Sequence, residues 1–219
     1  MALIATLFLA GCAAMGSGVP SSGFANDAVK EAYLPLAQWN LDFKGLETRH
    51  GAALVVAPHV AVTNAHNANL LPREAILAMS DYDLLFFRTE KSTRPSFAPA
   101  SLGEAVIAYG NGPGGRLRQA EGQMRFLDQQ VLPLCAACRA QRVLGFEADA
   151  GPGFSGGPVV DAKSGAVLGI IFGFRDSDGR RLMYAYDSAT VLAEMHRLLD
   201  ASAGVNDAWR ACSNHRPKC

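Results

Sequence analysis

The chain has 219 residues, with Lys+Arg 20 against Asp+Glu 20 and a formal net charge of +0. That length holds one large or two small domains with a real core, and a hydrophobic fraction of 49% excludes a disordered chain. There is no basic excess for nucleic acid. No apolar run reaches the roughly 18 residues of a membrane-spanning helix, and no segment repeats at a fixed period.

Residues 1–11 (MALIATLFLAG) carry no charged side chain and have the length of a secretory apolar region. Leu9-Ala10-Gly11-Cys12 resembles a bacterial lipobox, where a lipoprotein signal peptidase cuts before a Cys that is then lipidated. This implies a signal peptide over 1–11 and a membrane contact through a lipid anchor on Cys12. Ala13, rather than an Asp, follows the Cys, which points to the outer membrane of an exported, periplasm-facing lipoprotein. Residues 12–26 are small, Gly/Ser-rich and nearly uncharged, and read as a flexible tether.

Val29–Ala37 is expected to form a short helix broken by Pro35. Ala52–Ala57 and Val60–Thr63 flank Pro58-His59 and read as a hairpin, and residues 64–70 as a single helical turn. Short strands are expected at Ala75–Met79, Leu84–Phe87, Ala105–Tyr109, Gly122–Leu127, Val143–Phe146, Pro158–Val160, Val167–Phe174 and Leu182–Tyr186, between Gly-rich turns. That pattern argues for a sandwich or barrel. From Ser188 to Leu199 the apolar residues Val191, Leu192, Met195, Leu198 and Leu199 follow helical spacing, with Asp187 or Ser188 as N-cap. Residues 201–219 form an irregular, Cys-containing tail.

Beyond Cys12 the chain has Cys135, Cys138, Cys212 and Cys219. In an oxidising compartment these form disulfides. Local pairing, Cys135 with Cys138 and Cys212 with Cys219, is the simplest of the three connectivities. The C-x-x-C spacing of Cys135 and Cys138 could serve redox chemistry, and the four with His215 could hold zinc. Export and irregular spacing favour disulfides over both.

Three segments carry chemistry: Thr63-Asn64-Ala65-His66, Asp81-Tyr82-Asp83-Leu84-Leu85, and Gly151-Pro152-Gly153-Phe154-Ser155-Gly156-Gly157-Pro158. A Ser framed by glycines sits on a tight turn with Oγ exposed. The N–H groups of Gly153 and Ser155, pointing the same way, would form a pocket for an oxyanion. A hydroxyl needs a base within hydrogen-bond reach. A His serves at neutral pH, and a carboxylate fixes its tautomer.

The order T-N-A-H, D-L-L, G-x-S-G-G-P resembles the chymotrypsin-like (trypsin-like) serine proteases, closest to the bacterial HtrA-type protease domain. Leu102-Gly103-Glu104-Ala105-Val106-Ile107-Ala108-Tyr109-Gly110-Asn111, Val167–Ile171 and Met183–Asp187 are similar to further segments of that branch. The resemblance covers about residues 48–200. It implies an all-β fold of two perpendicular six-stranded β-barrels with a C-terminal helix, occupying residues 27–200 and dividing near 112–116. It implies His66 as general base, Asp83 as orienting carboxylate and Ser155 as nucleophile, with Gly153 and Ser155 N–H as the oxyanion hole. The implied partner is a polypeptide substrate, hydrolysed through an acyl-enzyme without metal or organic cofactor.

Departures from the family pattern are informative. Only 17 positions separate His66 from Asp83, so a hairpin of the first barrel is expected to be trimmed, and Asp81 competes with Asp83 for the carboxylate role. Phe154 replaces the Asp that pairs with a freed N-terminus in digestive members, so no such activation is expected. No PDZ-like segment follows residue 200. By resemblance, Asp149 sits at the base of the primary specificity pocket and favours Arg or Lys, Gly173 lines the wall and Phe174 narrows the mouth. His50, His59, His196 and His215 read as turn or surface residues. The reading is a membrane-tethered serine endopeptidase. Its alternative is a catalytically silent binding module of the same fold for peptides or envelope partners.

Overall fold

A computed structural model describes residues 18–42, 45–112, 115–131, 141–177 and 179–200. In chain order these form β1 (Val19–Pro20), α1 (Asp27–Ala32), β2 (Tyr33–Asp42), β3 (Gly45–Ala57), β4 (Val60–Asn64), 3-10 turns at Ala65–Leu70 and Arg73–Ala75, β5 (Ile76–Met79) and β6 (Leu84–Arg88). The second half holds β7 (Ala105–Asn111), β8 (Leu117–Val131), β9 (Gln141–Ala148), β10 (Pro158–Asp161), β11 (Val167–Ser177) and β12 (Arg180–Asp187). A helix, α2, follows over residues 188–200.

The chain is mostly β, and the two halves close differently. Strands β8-β7-β10-β11-β12-β9 are hydrogen-bonded in that order, and β8 also pairs with β9, which closes a six-stranded barrel with β1 added at its edge. The first half is a five-stranded sheet in the order β2-β3-β4-β6-β5, with no closing pair among the described residues. This corrects the expectation of two six-stranded barrels. The physical reason lies between His66 and Asp83. Two 3-10 turns and the four-residue β5 fill that span, leaving no chain for another strand to bridge β5 back to β2. The sheets change between β6 and β7, within residues 89–104, rather than near 112–116, because β7 pairs with β8 and β10.

The expected helix over Val29–Ala37 is displaced. Asn26 caps α1, accepting from the Val29 N–H at 2.8 Å. The helix ends where Pro35 pushes Leu34 into extended backbone. Tyr33 onward becomes β2, an edge strand paired only to β3, where a proline costs no ladder bond. At the other end Asp187 caps α2, its Oδ1 accepting from Thr190 N at 2.9 Å. Val191 and Met195 are buried in the core beneath the first sheet, with Leu192, Leu198 and Leu199 packed against it. Residues 18–26, within the expected tether, lie on the domain: Val19 pairs with Gln119 and Gly18 N donates to the Asp149 carbonyl at 2.8 Å.

A second core fills the closed barrel, built from Val106, Met124, Phe146, Leu168, Ile171, Met183 and their neighbours. Phe154 belongs to it at 0% exposure. No helix among the described residues is long and apolar enough to cross a membrane.

Candidate active site

His66 and Asp83 are neighbours because β4 and β6 are. Asn64, the last residue of β4, pairs in register with Leu84, the first of β6. The 3-10 turn after β4 carries His66, and the bend before β6 carries Asp83. Four hydrogen bonds fix the junction. Asp83 Oδ2 lies 2.8 Å from His66 Nδ1, and Oδ1 accepts from the His66 backbone N–H at 3.0 Å. The Asp83 carbonyl accepts from Ala65 N at 3.0 Å and from Asn64 Nδ2 at 3.2 Å. The Asp83 side chain is 8% exposed and that of His66 45%, so the carboxylate is shielded while the imidazole reaches solvent.

Two local costs accompany this arrangement. Asp83 holds a positive φ of 22° without being glycine, a conformation costing of order 1–3 kcal/mol. Asn64 is fully buried, and its Oδ1 has no hydrogen-bond partner among the described residues. Tyr82 braces the bend from the other side, edge-on to Tyr186 of the barrel at 6.4 Å. Asp81, the competing carboxylate, is exposed and outside the pair with His66.

Ser155 arrives from the barrel, half-buried on the loop between β9 and β10. Phe154 anchors that loop in the barrel core. Gly153 and Gly156 have φ of 92° and 83°, and a Cβ on either would collide with a backbone carbonyl, of Asn111 and of Ala52 respectively. No other residue type fits both conditions. The loop's N–H groups divide into two sets. Those of Phe154, Gly156 and Gly157 donate to the carbonyls of Gly151, Ile171 and Phe154 at 3.2, 2.8 and 2.9 Å. Those of Gly153 and Ser155 have no acceptor among the described residues. These are the two donors expected of an oxyanion pocket.

The two halves meet at Ser155. Its carbonyl accepts from Ala52 N at 2.9 Å and from Asn67 Nδ2 at 3.1 Å. Asn67 also donates to Thr63 Oγ1 at 3.0 Å, and Thr63 donates to the Ala52 carbonyl at 2.7 Å. A second stitch runs through buried Asn111. Its backbone N–H donates to the Gly153 carbonyl at 2.9 Å, its Oδ1 accepts from Tyr33 OH at 2.8 Å, and its Nδ2 donates to the Gly51 carbonyl. Burial pushes the Tyr33 phenol far above its ordinary pKa, so it remains a donor. No hydrogen bond joins Ser155 Oγ to His66 among the described residues.

Asn67 and Tyr33 were not anticipated as parts of the site, and Thr63 and Asn111 stood only within motifs. The pairing of Gly110 with Asn111 at a strand end was the one signal available. His50, read as turn or surface, instead lies half-buried on β3 with its ring beside Gly153.

Of the residues expected at the specificity pocket, Asp149 and Phe174 each lie near Arg181. Asp149 is exposed and shares an open cavity of about 430 Å³ with Arg181. The Arg181 guanidinium lies 4.4 Å from the Phe174 ring centre. Phe174 is 40% exposed, and a Cβ on Gly173 would meet nothing within 4 Å. The Arg181 pKa is raised, first by its hydrogen bond to Asp176 and further by the charges of Asp176 and Asp149, against the lowering effect of burial. Cys12, Cys135, Cys138, Cys212 and Cys219 lie outside the described residues. Among the described residues no group of three His, Cys, Asp or Glu side chains could hold a metal.

Among solved structures the fold is similar to the Rv3671c protease from M. tuberculosis in its active form. That match has TM-score 0.64 and 18% identity, covering 90% of this chain and 94% of that one. It is also similar to the HtrA-type protease AlgW with tripeptide, at TM-score 0.63 and 16% identity over 81% of this chain and 63% of AlgW. The chain thus spans less than two thirds of AlgW. These likenesses establish a chymotrypsin-like fold. No curated protein matches the sequence. The family model for the trypsin-like peptidase domain matches residues 51–170, more than half of the chain. The chain belongs to the trypsin-like peptidase family.

Proposed function

We propose that the chain is a serine endopeptidase using His66, Asp83 and Ser155. The observation that carries this reading is the double hold of Asp83 on His66, at 2.8 Å to Nδ1 and 3.0 Å to the backbone N–H. A proton held on Nδ1 by a shielded carboxylate leaves Nε2 as the basic nitrogen. Ser155 Oγ attacks the substrate carbonyl carbon, and its proton passes to His66 Nε2. Negative charge develops on the former carbonyl oxygen, where Gly153 and Ser155 N–H receive it. One such donor is worth about 2.7–4 kcal/mol in kcat. His66 then gives its proton to the departing amine as the carbon–nitrogen bond breaks. Water, deprotonated by His66, attacks the acyl-enzyme; the carbon–Oγ bond breaks, Ser155 Oγ takes the proton back from His66, and the acid leaves. Asp83 stays ionised, stabilising the imidazolium that forms at each proton transfer.

The substrates are peptides. AlgW, of the same fold, is described with a tripeptide and with a decapeptide. The protein is placed at a membrane surface by lipidation of Cys12, facing the periplasm. Gly18, six residues further on, is already docked on the barrel, so the anchor would hold the domain close to the bilayer.

The test is hydrolysis of unfolded casein by purified protein, wild type beside Ser155→Ala. Cleavage by wild type alone supports the reading, and equal cleavage by the variant removes Ser155 from it. One observation favours the alternative of a silent binding module: the missing hydrogen bond between Ser155 Oγ and His66. Such bonds tighten in substrate complexes, so peptide binding without turnover is the result that would favour the module.

A further inference from the structure

Asp149 alone would make the cleft attractive to a basic side chain. A substrate Arg or Lys entering there would seek three kinds of handle: a carboxylate, a backbone carbonyl and an aromatic face. The Ala150 carbonyl and the Phe174 face are already engaged by Arg181, which also shares a cavity with Asp149. The Arg181 side chain is only 12% exposed. Its Nη1 donates to the Ala150 carbonyl at 3.0 Å, and its guanidinium lies 4.4 Å from the centre of the Phe174 ring. Its Nε and Nη2 grip the two oxygens of Asp176 at 2.6 and 2.8 Å. That fork fixes the guanidinium in one orientation. Asp176 is 59% exposed, so water screens its charge, whereas the guanidinium is largely shielded. Asp149 lies close enough to raise the guanidinium's pKa further, so it faces a positive charge already paired with Asp176. The other arginines lining the same cavity, Arg125 and Arg180, lie 2.9 and 3.9 Å from Glu147. Among the described contacts, Arg181 is the one of these three arginines that touches both Ala150 and Phe174.

Resting on the peptidase reading of this cleft, we propose that Arg181 is its specificity-determining residue. It occupies the position a substrate Arg would take and answers Asp149, so the cleft beside Gly173 and Phe174 selects uncharged, apolar side chains at the cleaved bond. The open space at Gly173 and the exposed part of the Phe174 ring are the surfaces left for such a side chain. Arg181 also ties Ala150, five residues before Ser155, to the tips of β11 and β12. The specificity wall and the nucleophile loop are therefore held by one side chain.

The test uses the purified protein and two readouts. The first is a set of quenched peptides differing only at the residue before the cleaved bond. Wild type is expected to cut after Leu or Phe at least tenfold faster than after Arg or Lys. Arg181→Met keeps an apolar stem against Phe174 and removes the charge. It should raise the Arg/Leu ratio at least tenfold, and adding Asp149→Asn should reverse that gain. Arg181→Lys retains the cation and should keep the wild-type ratio. Asp149→Asn alone should not raise the ratio, a check that needs no Arg181 variant to fold. The second readout is binding of p-aminobenzamidine, an amidinium mimic of arginine, followed by its fluorescence. It requires no turnover, so it judges Arg181 even if the protein cleaves nothing. Wild type should bind at least tenfold more weakly than Arg181→Met. Wild-type preference for Arg or Lys, or amidine binding by wild type that Asp149→Asn abolishes, would overturn the proposal.

Discussion

Asn67 Nδ2 lies 3.1 Å from the carbonyl oxygen of Ser155 and 3.0 Å from Thr63 Oγ1. The residue adjacent to His66 thus grips the backbone of the residue expected to attack. The spacing of base and nucleophile depends on this contact, since it ties the open sheet directly to the barrel loop. Asn67→Ala should slow acylation at least tenfold. It should also lower stability by about 1–3 kcal/mol, the cost of leaving buried partners unsatisfied. Single-turnover acylation and denaturant unfolding check both. Unaltered acylation would show that the barrel loop holds itself.

Asp83→Asn keeps the shape of the side chain but offers an amide to His66. The carboxylate that accepts from Nδ1 and supports the imidazolium is lost. Activity should fall by about 10⁴-fold with the fold intact. Peptide hydrolysis beside a circular-dichroism melt tests this. Asp81→Asn, at an exposed position outside the pair, should leave hydrolysis within twofold of wild type.

Phe154 is fully buried in the barrel core, one residue before Ser155. Phe154→Ala should cost about 3–5 kcal/mol of stability. It should also loosen the loop that presents the Gly153 and Ser155 N–H groups. Unfolding in urea gives the first quantity. The acylation rate of the still-folded fraction gives the second. A stability loss without slower acylation would mean the glycines and Asn111 suffice to hold the loop.

Much of this was legible in the sequence. The glycines around Ser155 report positive φ and close backbone approach. The run after Asp83 marks a buried central strand, and the Val191–Met195 spacing marks α2. What stayed hidden depends on contacts between distant segments. Pro35 disguised β2, because an edge strand tolerates proline and its apolar pattern passes for a helix end. Strand β8 runs over Leu117–Val131, far beyond the expected Gly122–Leu127, because its polar residues face solvent and its pairing with β9 shifts register. A trimmed hairpin in the first half was foreshadowed by the short interval from His66 to Asp83, but the loss of barrel closure was not. Arg181 lies 32 positions from Asp149 with no sequence signal linking it to that loop, so its place in the same cavity stayed hidden.

If Cys12 carries the lipid, Cys12→Ser should move the protein from the membrane pellet to the soluble fraction after cell breakage. Intact-mass measurement should show loss of the acyl chains. Pelleting of the variant with membranes would place the anchor elsewhere.

The central claim is that Ser155 is an activated nucleophile, and covalent labelling by a fluorophosphonate probe tests it most directly. Wild type should label, Ser155→Ala should not, and Asp83→Asn should label far more slowly. Equal labelling of wild type and Ser155→Ala, or no labelling of folded wild type, would contradict the account.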